Sequence, residues 1–339
     1  MIRYALNMIA PNLSRNVIRT ALLAILPLAA WAIELVSCAR AQTPEERAAQ
    51  HQAQFEQLLV RLPSGSSHFM DLTYVDGAKP RPDTDSKQTL DLFVPPGSGP
   101  FPLIIWIHGG GWQGGSNELS GIEFAGDFLP HGFALASLDY RFVQDASFPA
   151  PIEDCKSALL WLKKNAAQYH LDAGRVGVCG ESAGAHLAAL LAVTGDSAKF
   201  SSDPAADLRI QAAICWATPA DLDRDRGHWP LQSVLYHPED PLFKAFPHGI
   251  YDVALADRYS PASYVHTGVP PMIIVHGAKD ELVPLGQAQT FAENLKKAGN
   301  DVTFRIDPEH GHGVLSAATK AEAVTFFERT LEQPVGQGR

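Results

Sequence analysis

The sequence predicts an α/β fold in which a mostly parallel sheet of eight strands is flanked by helices on both faces. From residue 70 onward, strand-like runs alternate with helix-like segments, and this alternation is typical of such sheets. Two runs, 103–107 and 272–275, are continuously apolar, as expected of strands that are buried on both faces. The predicted strands cover residues 71–75, 89–94, 103–108, 134–139, 176–179, 210–216, 272–276 and 302–306.

The segments between these strands have the pattern of amphipathic helices. Apolar residues recur at spacings of three and four over 152–162 and over 288–298, and the second helix ends before Gly299, a natural C-terminal stop. A closing helix is predicted around 324–331. An early helix begins at Thr43-Pro44-Glu45-Glu46, which is a capping box with proline at the first helical position.

One large domain is predicted, because 46% of the 339 residues are hydrophobic and only 19% are charged. We assign residues 70–334 to this domain and residues 42–69 to an N-terminal helix and linker. An insertion at 223–262, after the sixth strand, is rich in aromatic residues. A long insertion of this kind predicts a lid or binding loop, and the alternative is a surface excursion with its own small core.

Residues 1–41 have the pattern of a signal peptide. Three arginines precede the apolar run 21–33, and the triplet Ala39-Arg40-Ala41 then fits the rule for signal-peptidase cleavage. We therefore expect an exported protein, periplasmic or secreted, with no membrane span in its mature form. Two alternatives stay open: a lipoprotein signal that uses Cys38, and a retained anchor, although the apolar run is short against the ~20 residues that span a bilayer.

Charge and cysteine content exclude other classes of protein. The net charge is −10, and removal of residues 1–41 would take away four arginines and one glutamate. An acidic surface without a basic stripe repels phosphate backbones, so no nucleic-acid partner is expected. The three cysteines beyond Cys38, at positions 155, 179 and 215, are too few and too widely spaced for a disulfide framework, and their apolar surroundings predict buried thiols.

The first chemical motif is Gly180-Glu181-Ser182-Ala183-Gly184. It follows an apolar strand and precedes a helix-forming run, which is the context of a G-x-S-x-G nucleophile elbow. The serine is held in a sharp turn, and the start of the helix directs N–H groups and the positive end of its dipole towards an oxyanion. Ser182 is therefore the candidate nucleophile.

The second motif is His108-Gly109-Gly110-Gly111-Trp112, which comes directly after the third strand. Without side chains, the glycine amides can approach a substrate oxygen closely and complete an oxyanion hole. A plain glycine turn is the alternative interpretation. His108 itself is interpreted as a residue that braces this loop and not as a catalytic base.

A serine nucleophile needs a histidine base and an orienting acid, which come later in the chain in the order Ser, Asp, His. Asp280 follows the seventh strand, with Glu281 as a weaker rival. Between the last strand and the closing helix, His312 is favoured over His310 because it lies nearer the helix and precedes a glycine. The two histidines could together bind a metal, but no companion cluster of ligands supports this, so no metal is expected.

These motifs together resemble the carboxylesterases of the hormone-sensitive-lipase-like and feruloyl-esterase-like (BD-FAE-type) branch of the α/β-hydrolase superfamily. The likeness covers most of residues 70–332 and is densest at 108–112, 148–188 and 270–313. Two departures are His310, where a glycine is common, and the long insertion. The resemblance implies an α/β-hydrolase fold, a triad of Ser182, Asp280 and His312, and oxyanion donors at Gly109, Gly110 and Ala183.

The resemblance also implies hydrolysis of carboxylic esters without a cofactor, on a small-molecule or polysaccharide-linked ester. Export would suit a feruloyl or acetyl ester. We expect Trp112 and Trp216 to line an apolar substrate pocket. The alternatives are an arylformamidase-type amide hydrolase, which shares the His-Gly-Gly-x-Trp pattern, and a binding protein of the same fold without catalysis. No feature of the sequence predicts an oligomeric state.

Overall fold

Eight strands form one sheet within residues 43–75, 88–223 and 252–331, the part of the chain that the computed structural model describes. The strands are β1 Ser67–Thr73, β2 Thr89–Val94, β3 Phe101–Ile107, β4 Ala134–Leu138, β5 Leu171–Glu181, β6 Ala212–Trp216, β7 Met272–Gly277 and β8 Val302–Asp307. Their order in the sheet is β1-β2-β4-β3-β5-β6-β7-β8. Strand β2 runs opposite to the other seven strands, which all run in the same direction, so the predicted mostly parallel sheet is confirmed.

Two core clusters lie on opposite faces of this sheet. Along β3, Ile105 and Ile107 belong to one cluster, whereas Ile104 and Trp106 belong to the other. All four side chains are buried, because β3 lies inside the sheet and has a paired strand on either side. Burial on both faces is the physical reason for the uninterrupted apolar run in this part of the sequence.

Several strand boundaries differ from the predicted ones, and the largest differences are at the starts of β1 and β5. β1 begins at Ser67 and β5 at Leu171, both earlier than predicted, while β6 begins two residues later than predicted, at Ala212. The early starts come from pairing across the sheet, in which Ser67 lies opposite Val94 and Leu171 opposite Phe101. Partner strands thus extend β structure into polar segments that have no strand pattern of their own.

Helix α1, Pro44–Leu59, precedes β1 in the chain. The later helices flank the sheet, and they are α2 Glu118–Phe128, α3 Ala150–Lys164, α4 Ala183–Thr194, α5 Val253–Tyr259, α6 Leu285–Lys297 and α7 Ala317–Leu331. The predicted capping box of α1 is confirmed: the Glu46 amide donates to Thr43 Oγ1 (3.1 Å), and the Thr43 amide donates to Glu46 Oε2 (2.8 Å). The predicted stop after α6 is also confirmed, because Gly299 has a φ of 84°.

Several predictions fall on residues that the structure leaves undescribed. The predicted signal segment 1–41, with Cys38, lies outside the described residues. Residues 224–251 of the predicted insertion also lie outside them. The described remainder of the insertion includes α5 and the start of a 3₁₀ helix, Pro261–Tyr264. Over the described ranges, every helix is too short or too polar to cross a bilayer.

The three cysteines of the main domain are free thiols. Cys155, Cys179 and Cys215 are all buried, which confirms the prediction made from their apolar surroundings. Burial raises the pKa of the Cys215 thiol to about 12, so this group stays protonated and weakly reactive.

Asp91 is an acidic side chain inside the core, and it makes the fold sensitive to pH. It is 1% exposed, its Oδ1 accepts a hydrogen bond from the Asp71 amide (2.9 Å), and Oδ2 has no partner among the described residues. Burial raises the pKa of Asp91 to about 7, and the charges of Asp71 and Asp139 act in the same direction. In the unfolded chain an aspartate has a pKa of about 3.9. Folding therefore penalises the charged form, so Asp91 costs nothing below about pH 4 and its penalty is complete above about pH 7.

We expect Asp91→Asn to raise the free energy of unfolding at pH 8 by roughly 1 to 3 kcal/mol and to change it little at pH 4. The amide has no charge to bury, and its oxygen can still accept from the Asp71 amide. Urea unfolding at pH 4, 6 and 8 measures this, with exposed Asp145→Asn as the matched control. A stability difference independent of pH would contradict the argument.

Candidate active site

Ser182 lies in the turn between β5 and α4, with a backbone conformation that is unusual for a residue with a side chain. Its φ is 55° and its ψ −119°, in the region that normally favours glycine. The Ser182 amide donates to the Trp216 carbonyl (2.8 Å) at the end of the adjacent strand β6. The surrounding strand, turn and helix thus hold the serine in the strained turn that the motif predicted.

Two glycines allow this turn to pack closely. A Cβ on Gly184 would collide with the carbonyl oxygens of Ile107 and His108, and a Cβ on Gly180 would lie 2.5 Å from the Gly184 carbonyl oxygen. The first turn of α4 therefore rests directly against the end of β3, where the glycine loop begins. This contact brings the two sequence motifs together.

His312 lies between Ser182 and Asp280. Its Nε2 is 2.8 Å from Ser182 Oγ, and its Nδ1 is 2.9 Å from Asp280 Oδ2. His310 does not reach the serine, because it is half-exposed and its Nδ1 lies 2.9 Å from Asp307 Oδ2. Glu281 is exposed. The sequence left His312 and His310 as candidate bases and Asp280 and Glu281 as candidate acids. The structure brings His312 and Asp280 together with Ser182.

Asp280 is surrounded by hydrogen-bond donors. Its Oδ1 accepts from the amides of Leu282 (2.8 Å) and Val283 (2.9 Å), and its Oδ2 lies 3.2 Å from His276 Nε2 and 2.9 Å from His312 Nδ1. Burial alone would raise the pKa of Asp280, but the bonds from His276, His312 and the Val283 amide outweigh it and hold the pKa below its ordinary value. Asp280 is thus a carboxylate at neutral pH, able to orient the His312 ring.

His276 is a second histidine beside Asp280, and no sequence pattern predicted a role for it. It is fully buried in β7, and its Nε2 lies 2.9 Å from the Val283 carbonyl oxygen as well as 3.2 Å from Asp280. Because the carbonyl can only accept, Nε2 carries the proton and donates to both oxygens. His276 therefore fixes the carboxylate that orients His312.

We expect His276→Phe to lower kcat roughly 10- to 100-fold, since one hydrogen bond to a carboxylate is worth ~1.5–3 kcal/mol. Phenylalanine keeps a buried ring but has no donor. In His276→Gln the side-chain amide can replace Nε2, so kcat should stay within about threefold of the wild-type value. Steady-state kinetics on a p-nitrophenyl ester compares the two variants, and equal losses in both would count against a role for the donor.

The glycine loop passes directly beside the serine. A Cβ on Gly109 would lie 3.0 Å from the Glu181 carbonyl oxygen and 3.4 Å from Ser182 Cβ. Gly110 has a φ of 106°, and its carbonyl accepts from the amides of Gln113 (3.1 Å) and Gly114 (3.0 Å), which closes the loop on itself. Ala183 begins α4 on the other side of Ser182. The predicted oxyanion donors Gly109, Gly110 and Ala183 therefore belong to the segments that flank the serine.

His108 is buried beneath this loop. Its Nδ1 lies 2.7 Å from the Gly109 carbonyl oxygen, its Nε2 lies 3.4 Å from Asp139 Oδ1, and its ring stacks on Tyr140 with 4.6 Å between the centroids. The Tyr140 hydroxyl also donates to the His108 carbonyl (3.1 Å). These contacts fit the bracing role predicted for His108.

The two tryptophans predicted to line a substrate pocket are core residues instead. Trp216 is fully buried, with its ring 6.3 Å from Trp106 and 6.0 Å from Phe124, so the prediction for Trp216 is wrong. Alternation along β6 directs its side chain into the core, and only its carbonyl reaches Ser182. Trp112 is 4% exposed and donates from Nε1 to His186 Nδ1 (3.3 Å), so the structure does not support a pocket-lining role for it.

Comparison with known proteins places the chain in a family. The model of the BD-FAE family matches residues 90–295. Among curated proteins of Mycobacterium tuberculosis, Esterase LipQ is 31% identical over 70% of this chain and 58% of its own length. The probable carboxylic ester hydrolase LipM is 26% identical over 81% of this chain and 63% of its own length. The chain thus spans less than two thirds of these relatives.

Solved structures show the same architecture. A butyrate-bound thermophilic esterase from Thermogutta terrifontis superposes with a TM-score of 0.60 at 26% identity, over 81% of this chain and 97% of that one. A bifunctional GH43-CE protein from Bacteroides eggerthii has a TM-score of 0.67 at 26% identity, over 78% of this chain and 38% of that one. Because the family match covers more than half of the chain, the protein belongs to the BD-FAE family of the α/β-hydrolase fold.

Proposed function

We propose that the protein hydrolyses carboxylic esters through an acyl-enzyme on Ser182. The observation that carries this proposal is the position of His312, whose ring nitrogens lie 2.8 Å from Ser182 Oγ and 2.9 Å from Asp280 Oδ2. A serine hydroxyl becomes a useful nucleophile when a base takes its proton, and the ionised Asp280 favours the tautomer of His312 that can do so. The esterase names of the relatives support the same reaction.

The reaction proceeds in two steps. Ser182 Oγ attacks the ester carbonyl while His312 Nε2 takes its proton, and the tetrahedral oxyanion accepts hydrogen bonds from the amides of Gly109, Gly110 and Ala183. His312 returns the proton to the departing alcohol, which leaves an acyl ester on Ser182. A water molecule, deprotonated by His312, then releases the carboxylic acid and restores the serine.

For the substrate we propose a feruloyl or acetyl ester, either small or linked to a polysaccharide. The BD-FAE family match and the GH43-CE neighbour support this class. The signal-like residues 1–41 support export, which would bring the protein to such a substrate. No step of the reaction requires a cofactor.

The test combines acyl-enzyme trapping with a panel of substrates. Rapid acid quenching during turnover of p-nitrophenyl butyrate, followed by peptide mass spectrometry, should show a butyryl group on the peptide that contains Ser182. The panel compares p-nitrophenyl esters of rising chain length, methyl ferulate, acetylated xylan and an N-formyl aromatic amine. A higher kcat/KM for the formyl amine would overturn the ester assignment in favour of an amide hydrolase. Absence of both adduct and turnover would favour a binding protein.

A further inference from the structure

We propose that His186 is a positioning residue that holds the glycine loop in place by binding Trp112, the last residue of the His-Gly-Gly-Gly-Trp motif. The proposal rests on the proposed function, because the loop it positions is the one assigned to the oxyanion. His186 lies in α4, about one helical turn beyond Ser182, and is fully buried. It does not contact the reacting atoms but joins two elements that surround them.

The two contacts of His186 define a single tautomer. Its Nδ1 lies 3.3 Å from Trp112 Nε1, and its Nε2 lies 2.8 Å from the Tyr259 carbonyl oxygen at the end of α5. An indole nitrogen can only donate and a carbonyl can only accept. Nδ1 must therefore be the bare acceptor and Nε2 must carry the proton.

This arrangement needs a neutral imidazole. A protonated His186 would place an N–H group against the N–H of Trp112, and both groups would lose a partner inside the core. Burial lowers the pKa of His186 to about 4, which outweighs the opposite effect of the Tyr259 carbonyl. The link between Trp112 and His186 thus stays intact over the ordinary range of pH.

The Trp112 backbone shows why the loop needs an anchor. Its φ is 59°, which is rare for a bulky residue, so surrounding contacts must hold this conformation. Those contacts are the bond to His186, an edge-to-face contact with the same ring at 5.3 Å, and a hydrogen bond from the Val143 amide to the Trp112 carbonyl (2.9 Å). Gly109 and Gly110 precede Trp112 by three and two residues, so its position influences the direction of their amides.

Tyr259, whose carbonyl accepts from His186, is itself held in place by other contacts. The Tyr259 hydroxyl donates to the Phe148 carbonyl (3.3 Å), and the two rings stack at 5.1 Å. The next residue, Ser260, donates to the Ala256 carbonyl (2.7 Å) and accepts from the Leu222 amide (2.8 Å). His186 therefore ties the glycine loop to a part of the fold that is held by several hydrogen bonds.

Loss of the Trp112 contact should affect catalysis more than binding. Oxyanion donors act mainly on the charge that develops in the transition state, and small errors in their position are costly. We expect His186→Leu to lower kcat about 10- to 100-fold while KM changes by less than about threefold. Trp112→Phe, which removes the donor from the other side, should have a similar effect, and the double variant should lose little more than either single variant.

Two conservative variants separate the contact of His186 with Trp112 from its contact with Tyr259. In His186→Asn, the side-chain oxygen lies near the Nδ1 position and can accept from Trp112, so kcat should return to within about fivefold of the wild-type value. In His186→Gln, the amide lies near the Nε2 position and serves Tyr259 only, so kcat should remain low. A merely structural role would give the same loss in both variants.

The matched control is Leu190→Ala, a fully buried residue of the same helix and the same core cluster. It should lower the melting temperature without changing kcat. Wild-type kcat in His186→Leu, or a loss confined to KM, would overturn the proposal. If His186→Leu fails to fold, the test uses Trp112→Phe, His186→Asn and His186→Gln. The same kcat in all three variants would mean that the Asn oxygen restores nothing, and this would overturn the proposal.

The rate at which a fluorophosphonate labels Ser182 distinguishes failure of the positioning role from failure of the proposed function. If Ser182 is labelled and required for turnover while the His186 variants keep wild-type kcat, only the positioning role is overturned.

Discussion

Ser182→Ala is expected to bind an ester substrate with nearly wild-type affinity and to turn it over about 10⁵-fold more slowly. The variant lacks the atom that becomes acylated, whereas the glycine loop and the start of α4 remain in place, so residual catalysis should come from the oxyanion donors alone. Gly180 and Gly184, which give the turn its close packing, are unchanged, and so the fold should be retained.

Hydrolysis of p-nitrophenyl butyrate by the purified variant gives the kinetic part of this prediction. Tryptophan fluorescence quenching by methyl ferulate gives the affinity. Ser157→Ala, in which a partly buried helix serine loses its bond to the Glu153 carbonyl, is the matched control and should keep full activity. Turnover by Ser182→Ala within tenfold of the wild-type rate would show that another group is the nucleophile.

The second large effect is expected for His312→Ala, with a loss in kcat of about 10⁴-fold or more. His312 is the described residue that joins Ser182 to Asp280, and without it neither the serine nor the leaving alcohol has a proton partner. His310→Ala supplies an unusually close control, since it removes the same side chain two residues away. Among the described residues, the His310 side chain pairs with Asp307 at the surface, and such pairs contribute little.

We therefore expect His310→Ala to keep kcat within about threefold of the wild-type value. Paired measurements of kcat and of the rate of Ser182 phosphonylation test both histidines. Comparable losses in the two variants would mean that the loop exchanges the histidines at the serine, and a larger loss in His310→Ala would reverse the assignment.

Local patterns were informative where a short stretch of sequence sets its own geometry. The elbow needs a glycine at position 180 because a Cβ there would meet the Gly184 carbonyl four residues later, and the capping box at Thr43 closes within one helical turn. The apolar runs of β3 and β7 identify buried strands for a similar reason, since both faces of such a strand must be apolar. In each case the requirement is visible in neighbouring residues.

Predictions failed where the direction of a side chain depends on distant parts of the chain. Trp216 is the last residue of β6, close to the candidate active site, but the pleat directs its ring into the core against Trp106 and Phe124. Trp112 turns inwards because its left-handed backbone is stabilised by His186, 74 residues later in the chain. His276 and His186 received no role from sequence, since a buried histidine resembles any other until its partners are known.

The amino-acid sequence by itself determined the class of fold, the candidate nucleophile and the glycine loop, because glycine spacing and apolar periodicity express steric rules that act over a few residues. Only the tertiary structure decided between His312 and His310, placed both His276 and His312 on Asp280, and put Trp112 in the core. Those outcomes depend on which side chains meet at the end of the sheet. Strand order and register bring His312 to Asp280 and to Ser182 over separations of 32 and 130 residues, where a linear pattern contains no distances.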